Sequence, residues 1–433
     1  MNRKFESYVN QLENLAQEAS TNYNANFHSK SISTALDGGP RAALNTTIPI
    51  SRRRKEGVFF TSSALAKKAL SEITNQINRS TVFLDPACGA GDLLISCANV
   101  MPIGNDLEST LHEWGSRLIG FDLRPEFIRA AKARLLLTAL SRFEPNKPKS
   151  ISNLDQLFPL LSVGNCFNQI NLLKSASVIM VNPPYQSVTA PKDCEWATGK
   201  VSAAALFIEH CVSNSLDNSK VVAILPDVLR SGSRYATWRN HIAKYASIEK
   251  VVVIGRFDQW TDVDVFILHL RVDKKKKDPS QLWQKRSPKS QRQVLGDLFD
   301  VHVGAVVPHR DEETGCSYPY LVARDLPIWK KIVKIAKKRR FSGTVYSPPF
   351  VVVRRTSRPG DITRATGTII SGKNPVAVEN HLMVLQPKDG KLASCRKLLI
   401  NLRRQETSDW LDNRIRCRHL TVTSLAELPW WND

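Results

Sequence analysis

Long apolar runs are missing from this 433-residue chain. No stretch approaches the 18 or more apolar residues that a membrane-spanning helix needs, so a spanning protein is not expected. The first twenty residues, M-N-R-K-F-E-S-Y-V-N-Q-L-E-N-L-A-Q-E-A-S, are polar and carry acids, so they lack the apolar core of a secretory leader. Paired cysteines are missing too. The eight cysteines (88, 97, 166, 194, 211, 316, 395 and 417) form no C-x-x-C pair and no cluster with histidine. That argues against a zinc site or a disulfide framework and fits a reducing cytoplasm. Acidic residues are the third shortage: 40 Asp and Glu stand against 61 Lys and Arg, a net charge of +21. The imbalance is uneven, because residues 271–433 hold 32 Lys and Arg against 16 Asp and Glu, a balance of +16. A basic half joined to a near-neutral half suggests a polyanion-binding module attached to something else.

What is present begins with an amphipathic helix carrying Phe5, Val9, Leu12 and Leu15 on one face. Residues 18–50 are rich in Ser, Asn, Thr and Gly and read as a flexible arm. From about 57 to 272 the texture changes. Short apolar runs of strand length occur at 80–86, 117–123, 177–183, 220–226, 248–255 and 264–272. Helical patterns lie between several of them, at 125–140, with Phe127, Ile128, Ala131 and Leu135 on one face, and at 203–216. Strands alternating with helices imply a mostly parallel α/β sheet. The lysine run 274–277 and the polar stretch after it look like a linker, and beyond it come strand-like pieces at 348–356, 380–387 and 420–429. The division expected is therefore an N-terminal helix and arm (1–50), a first domain (51–273) and a basic second domain (274–433).

Two motifs inside the first domain carry chemistry. T-V-F-L-D-P-A-C-G-A-G-D-L-L (81–94) is a strand, a small-residue turn and a helix start. Gly89 and Gly91 let the backbone pass close to a ligand, and the helix start offers N–H groups to it. The following strand ends in Asp122, placed to accept hydrogen bonds from both ribose hydroxyls. Turn and acid together point to an adenosine-containing cofactor. The turn is not G-x-G-x-x-G, and Asp85 at the strand end is placed for an ammonium group, which selects S-adenosylmethionine over a dinucleotide. The second motif is V-I-M-V-N-P-P-Y-Q-S (178–187), an apolar strand stopped by Asn182 and two prolines, neither of which has an N–H to donate.

G-V-F-F-T-S-S-A-L-A-K-K-A-L (57–70), F-L-D-P-A-C-G-A-G-D-L-L (83–94), G-F-D-L-R-P-E (120–126) and V-N-P-P-Y-Q (181–186) occur in the order found in gamma-type amino-methylating DNA adenine methyltransferases, and the chain resembles that family over most of 50–270. The resemblance implies a Rossmann-like mixed seven-stranded sheet of the S-adenosylmethionine-dependent methyltransferases, followed by a smaller mixed α/β target-recognition domain. It also implies cofactor contacts from Phe60 and Thr61 at the methionine end, from the turn residues Asp85, Ala87, Cys88, Gly89 and Gly91, from Asp122 and Leu123, and from Asn165, Cys166 and Asn182. The chain departs from the family at Ser62, where proline is usual, and at Asn165, where aspartate often binds the adenine amine.

The exocyclic amine of adenine is a poor nucleophile, because its lone pair is delocalised into the ring. Two acceptors on the amine hydrogens direct that pair outward and take up charge as it develops. The side-chain oxygen of Asn182 and the carbonyl of Pro183 suit that task, Pro184 stiffens the turn, and Tyr185 offers a ring for the base to stack on. A base reached this way must leave the duplex. Phe257 matches the family's second stacking aromatic. No metal is required. Double-stranded DNA is the expected partner, gripped by candidate stretches at 330–340 and 351–364. The chain is read as a monomeric, cytoplasmic, nucleoid-associated modification enzyme with a separate restriction endonuclease as a partner. Two competing readings stay open: methyl transfer to RNA or to protein glutamine, where N-P-P-Y also occurs, and a catalytically idle DNA-binding relative.

Overall fold

The computed structural model describes residues 3–21, 25–143, 151, 153–258, 261, 263–275, 283 and 293–431. The chain divides into two compact units, Met1–Leu229 with Ala236–Trp283, and Arg230–Tyr235 with Gln284–Asp433. Most of the stretch read as a linker after the lysine run lies outside the described residues. Among the described residues no helix is long and apolar enough to cross a membrane.

The first unit opens with four helices, α1 (Arg3–Thr21), α2 (Ala25–Leu36), α3 (Gly39–Thr47) and α4 (Ile50–Glu56). The predicted stripe on α1 is present, with Phe5, Val9, Leu12, Ala16 and Ala19 buried at steps of three and four. The arm expected over 18–50 is a correction: most of the described residues of this segment are helical, and Ile32, Ala35, Leu44 and Ile48 join the same core. Its apolar residues are too sparse to announce a helix, and tertiary packing supplies most of a short helix's stability. Part of that packing comes from helix α8 (Pro125–Arg142), whose Arg129 pairs with Glu6 and, at 2.5 Å, with Glu13 on α1. Covered on both sides, α8 is buried nearly all round rather than along one stripe.

The strands of the first unit are β1 (Phe83–Asp85), β2 (Leu118–Asp122), β3 (Leu161–Val163), β4 (Val178–Val181), the hairpin β5 (Ser187–Thr189) and β6 (Lys200–Ser202), then β7 (Lys220–Pro226), β8 (Ala246–Arg256) and β9 (Asp264–Val272). All but the hairpin form one seven-stranded sheet, ordered β3-β2-β1-β4-β7-β9-β8. Only β9 runs against its neighbours. This is the mixed seven-stranded sheet expected. The strand order reverses between β1 and β4, so their carboxyl ends open into one crevice, where ligands of open α/β sheets bind. Helices α5 (Ser63–Ser71), α6 (Asp92–Val100) and α7 (Leu107–Arg117) complete the layers.

The second unit holds a five-stranded sheet, ordered Phe299–Val303, Leu382–Pro387, Phe350–Arg354, Gly367–Ile370 and Lys331–Ile332, and a three-stranded one built on Cys316–Leu321. Val351, Val353, Met383 and Leu385 from the larger sheet pack on Leu398, Leu402 and Leu411 from two helices. The strand-like reading of 420–429 is a further correction. Val422–Ala426 is a helical turn, because Thr421 Oγ1 accepts the Ser424 N–H at 3.1 Å and Ser424 Oγ accepts the Thr421 N–H at 3.0 Å.

Candidate active site

The turn after β1 is shaped by two residues in the left-handed region, Gly89 (φ +52°) and Gly91 (φ +85°). A Cβ on Gly89 would lie 3.0 Å from the Phe60 ring, and one on Gly91 would lie 3.0 Å from the Ala131 Cβ on α8. The glycines are needed there for both backbone conformation and clearance. Behind the turn, Arg134 on α8 is 0% exposed and donates to the carbonyls of Ala90 (2.5 Å), Ala35 (2.8 Å) and Leu36 (3.0 Å), while pairing with Asp92 at 2.9 Å.

Beside the turn, Asp122 closes β2. Its Oδ2 accepts the Gly89 N–H (3.1 Å) and its Oδ1 the Arg124 N–H (3.0 Å). Burial pushes its carboxyl above the ordinary carboxylate range, against the pull of those bonds. A cavity of about 270 Å³ opens over these residues. Phe60, Ala87, Gly89 and Asp122 line it on one side, and Leu123, Asn165, Cys166, Asn182 and Pro184 on others. Nine of the predicted site residues thus line one cavity.

The rest lie behind it or to the side. Asp85, expected to meet an ammonium group, is 2% exposed and accepts the Ala87 N–H at 3.1 Å; burial first, and then Asp122 and Asp92 nearby, raise its carboxyl well above the usual range. Cys88 and Gly91 are buried under the turn. Thr61 is buried and receives the Asn182 Nδ2 hydrogen bond at 2.9 Å. That bond turns the Asn182 Oδ1 the other way, where the Tyr185 hydroxyl sits 2.7 Å from it and 3.1 Å from the Ile224 carbonyl. Tyr185 is half-buried, and burial pushes its phenol well up, so it stays a neutral donor. Phe257 lies with its ring centroid 6.0 Å from that of Tyr185 at 80°, edge to face. The two rings therefore do not make the parallel slot that a base stacked on both would occupy. Asn165 is exposed and turns its Oδ1 onto the Phe167 N–H at 3.1 Å.

Ten of the lining residues were not predicted, and three of them bear on the chemistry. Phe207, on the helix Ala203–Asn214, lines the cavity and packs edge-on against Phe167 at 4.9 Å. Glu56 at the end of α4 pairs with Arg124 at 2.7 Å, and both face the cavity. An aromatic in the first turns of the helix that follows N-P-P-Y was a usable signal for Phe207; the Glu56–Arg124 pair spans 68 positions and carries none.

A family model described as N-6 DNA methylase matches residues 50–304. The chain belongs to the N-6 DNA methylase family. Among solved structures it is similar to the type IIL restriction-modification enzyme MmeI in complex with DNA, at 12% identity and a TM-score of 0.52 over 89% of this chain and 69% of that one. It is also similar to the type IIG restriction endonuclease BpuSI (14% identity, TM-score 0.44, 86% of this chain and 58% of that one). A third is the type I restriction enzyme EcoKI M protein (17%, 0.39, 64% and 65%). This N-6 DNA methylase shares its fold with MmeI, and it spans 58% of the length of the BpuSI chain.

Proposed function

We propose that the chain transfers the methyl group of S-adenosylmethionine to the N6 amine of an adenine flipped out of duplex DNA, as the modification enzyme of a restriction-modification system. The observation that carries this reading is the Asn182 side chain: it lines the cavity at the carboxyl end of β4 with its nitrogen tied to Thr61 and its oxygen turned away from that bond.

The cavity suits the cofactor. Gly89 leaves room that any Cβ would fill, Asp122 presents a carboxylate already steadied by two backbone donors, and Leu123, 71% exposed, and Phe207 offer apolar faces for a purine. When bound, S-adenosylmethionine supplies an electrophilic methyl group. The chain's own part is to hold and polarise the acceptor. Asn182 Oδ1 takes one amine hydrogen and the Pro183 carbonyl the other. Thr61 keeps the Asn182 amide from rotating, and Pro183 and Pro184 fix φ so that the carbonyl stays aimed. The Tyr185 hydroxyl holds one proton and has two acceptors within reach. An arriving amine takes its place on Asn182 Oδ1 while the phenol keeps the Ile224 carbonyl, so the exchange leaves no buried donor unpaired. Tyr185 then presents its ring to the base. The amine, once methylated, is acidic enough to lose its proton without a strong base.

The second unit, basic and built on its own core, would bind the duplex and select the sequence. Expression in a methylation-free host followed by modification-sensitive sequencing tests the whole reading. N6-methyladenine at one recurring sequence is expected, and an unmodified genome would refute it.

A further inference from the structure

Three segments of the second unit are drawn together around His419. Arg355 N–H donates to the His381 carbonyl (3.0 Å), Leu420 N–H to the Arg355 carbonyl (2.8 Å) and Ser357 N–H to the Arg418 carbonyl (2.9 Å). Thr356 bridges to His419, with Oγ1 3.3 Å from Nδ1. Arg364, 0% exposed, staples the assembly from inside. It donates to Ser357 Oγ (2.6 Å) and to the carbonyls of Ile415 (2.8 Å) and Cys417 (3.2 Å), and pairs with Asp412 at 2.6 Å. The backbone here is held by these bonds, whatever the surface side chains do.

The side chains it projects are nearly all of one sign. His381, Arg418 and His419 are exposed and Arg355 is half-buried. Arg355 Nε has no hydrogen-bond partner among the described residues, and its Nη1 reaches only the Asn380 carbonyl at 3.4 Å. Burial first, and then the positive charges of Arg355, His381 and Arg418, hold the His419 imidazole below its ordinary range. Two nearby carboxylates are already engaged, Asp361 by the Arg358 N–H (2.7 Å) and Asp412 by Arg364 and the Gly360 N–H (2.8 Å). Cations fixed side by side repel each other until an anion joins them.

We propose that Arg355, His381 and His419 form a contact site for the phosphodiester backbone of duplex DNA. The inference rests on the reading that DNA is the substrate and adds where the second unit grips it. A guanidinium matches two phosphate oxygens at once, and an imidazolium supplies a third donor. Bound phosphate raises the proton affinity of His419, so contact takes up a proton and binding tightens as pH falls toward the lowered range where free His419 titrates.

The test measures anisotropy of a labelled random-sequence duplex with the full chain, across salt concentration and pH, with thermal midpoints and S-adenosylhomocysteine binding as checks on the fold. Each phosphate contact contributes about 0.9 to the slope of log affinity against log salt. Arg355→Gln combined with His419→Gln is expected to weaken binding by about tenfold and to flatten that slope by about 1 to 2, with cofactor binding unchanged. Arg355→Lys should restore most of the slope. His419→Gln combined with His381→Gln should remove the tightening that the unaltered chain shows as pH falls below about 6.5. If the unaltered chain binds the duplex and the variants keep its slope and its pH response, the site is refuted and the DNA reading stands. If the unaltered chain does not bind the duplex, both fall.

Discussion

Replacing Asn182 with alanine separates chemistry from binding. The variant removes one of the two acceptors on the amine and leaves the Pro183 carbonyl in place. Loss of a single preorganised polar group that acts on developing charge costs about 2.7–4 kcal/mol, or roughly 100- to 1,000-fold in the chemical step. The structural cost is small. Thr61 Oγ1 loses the Asn182 Nδ2 donor, and Tyr185 keeps the Ile224 carbonyl, so one hydrogen bond of about 1 kcal/mol is forfeited. Single-turnover transfer of labelled methyl to duplex DNA reads the first quantity, and calorimetric titration with S-adenosylhomocysteine reads cofactor affinity. The rate should fall by at least 100-fold while cofactor affinity stays within about threefold. Tyr185→Phe supplies the contrast. It frees Asn182 Oδ1 and keeps the ring, so transfer should change by no more than about threefold, the scale of one modest hydrogen bond. Transfer by Asn182→Ala within tenfold of the unaltered chain would refute the role assigned to that oxygen.

Asp122→Ala leaves the Gly89 and Arg124 N–H groups without their acceptor and removes the carboxylate proposed for the ribose. Cofactor affinity should drop by about 10- to 100-fold in the same titration, and an unchanged value would move the cofactor elsewhere. Gly91→Ala forces a left-handed residue to carry a Cβ 3.0 Å from Ala131, which costs about 1–2 kcal/mol for the backbone alone; the thermal midpoint should fall by several degrees. His269, buried on β9 with both ring nitrogens unpartnered among the described residues, is depressed to about 4, chiefly by burial. A folded value below the unfolded 6.5 means that the neutral ring is favoured in the fold. That stability is fully present above pH 6.5 and is lost, by up to about 3 kcal/mol, as pH falls toward 4. Urea midpoints taken down this range should fall for the unaltered chain and flatten for His269→Phe; parallel curves would refute the assignment.

The parts legible in the sequence were those whose signals are local. An apolar run ended by D-P-A-C-G-A-G or by N-P-P-Y marks a strand end and a turn, and parallel α/β topology places such ends in one crevice. Where local signals thin out, the reading failed. β3 is three residues long with only Leu161 buried, so nothing in its pattern marks a strand. The described part of the helices over 25–56 buries few apolar residues of its own, and the end of α2 is held by Arg134, about a hundred positions away along the chain. Asp85 was placed correctly at a strand end, but whether its carboxylate faces the crevice or the layer beneath is decided by the turn, which folds Ala87 back over it. The angle between Tyr185 and Phe257 is likewise a property of packing that spacing does not encode.

The same long-range contacts bear on how the site keeps its shape. A turn that approaches a ligand through bare backbone has few side chains of its own to brace it. Arg134 supplies the brace: one guanidinium grips the Ala90 carbonyl from behind, while its other donors hold the last carbonyls of α2. On the open side, Glu56 at the end of α4 pairs with Arg124, whose backbone N–H steadies Asp122. Gln186, just after Tyr185, has its amide end 2.9 Å from the Lys55 carbonyl and 3.2 Å from the Glu56 carbonyl, and donates to both with its nitrogen turned that way. The segment before residue 57 is thus bonded to the turn after β1, the loop after β2 and the stretch after β4. Those are three of the places that line the cavity, so the N-terminal helices form a structural part of the site.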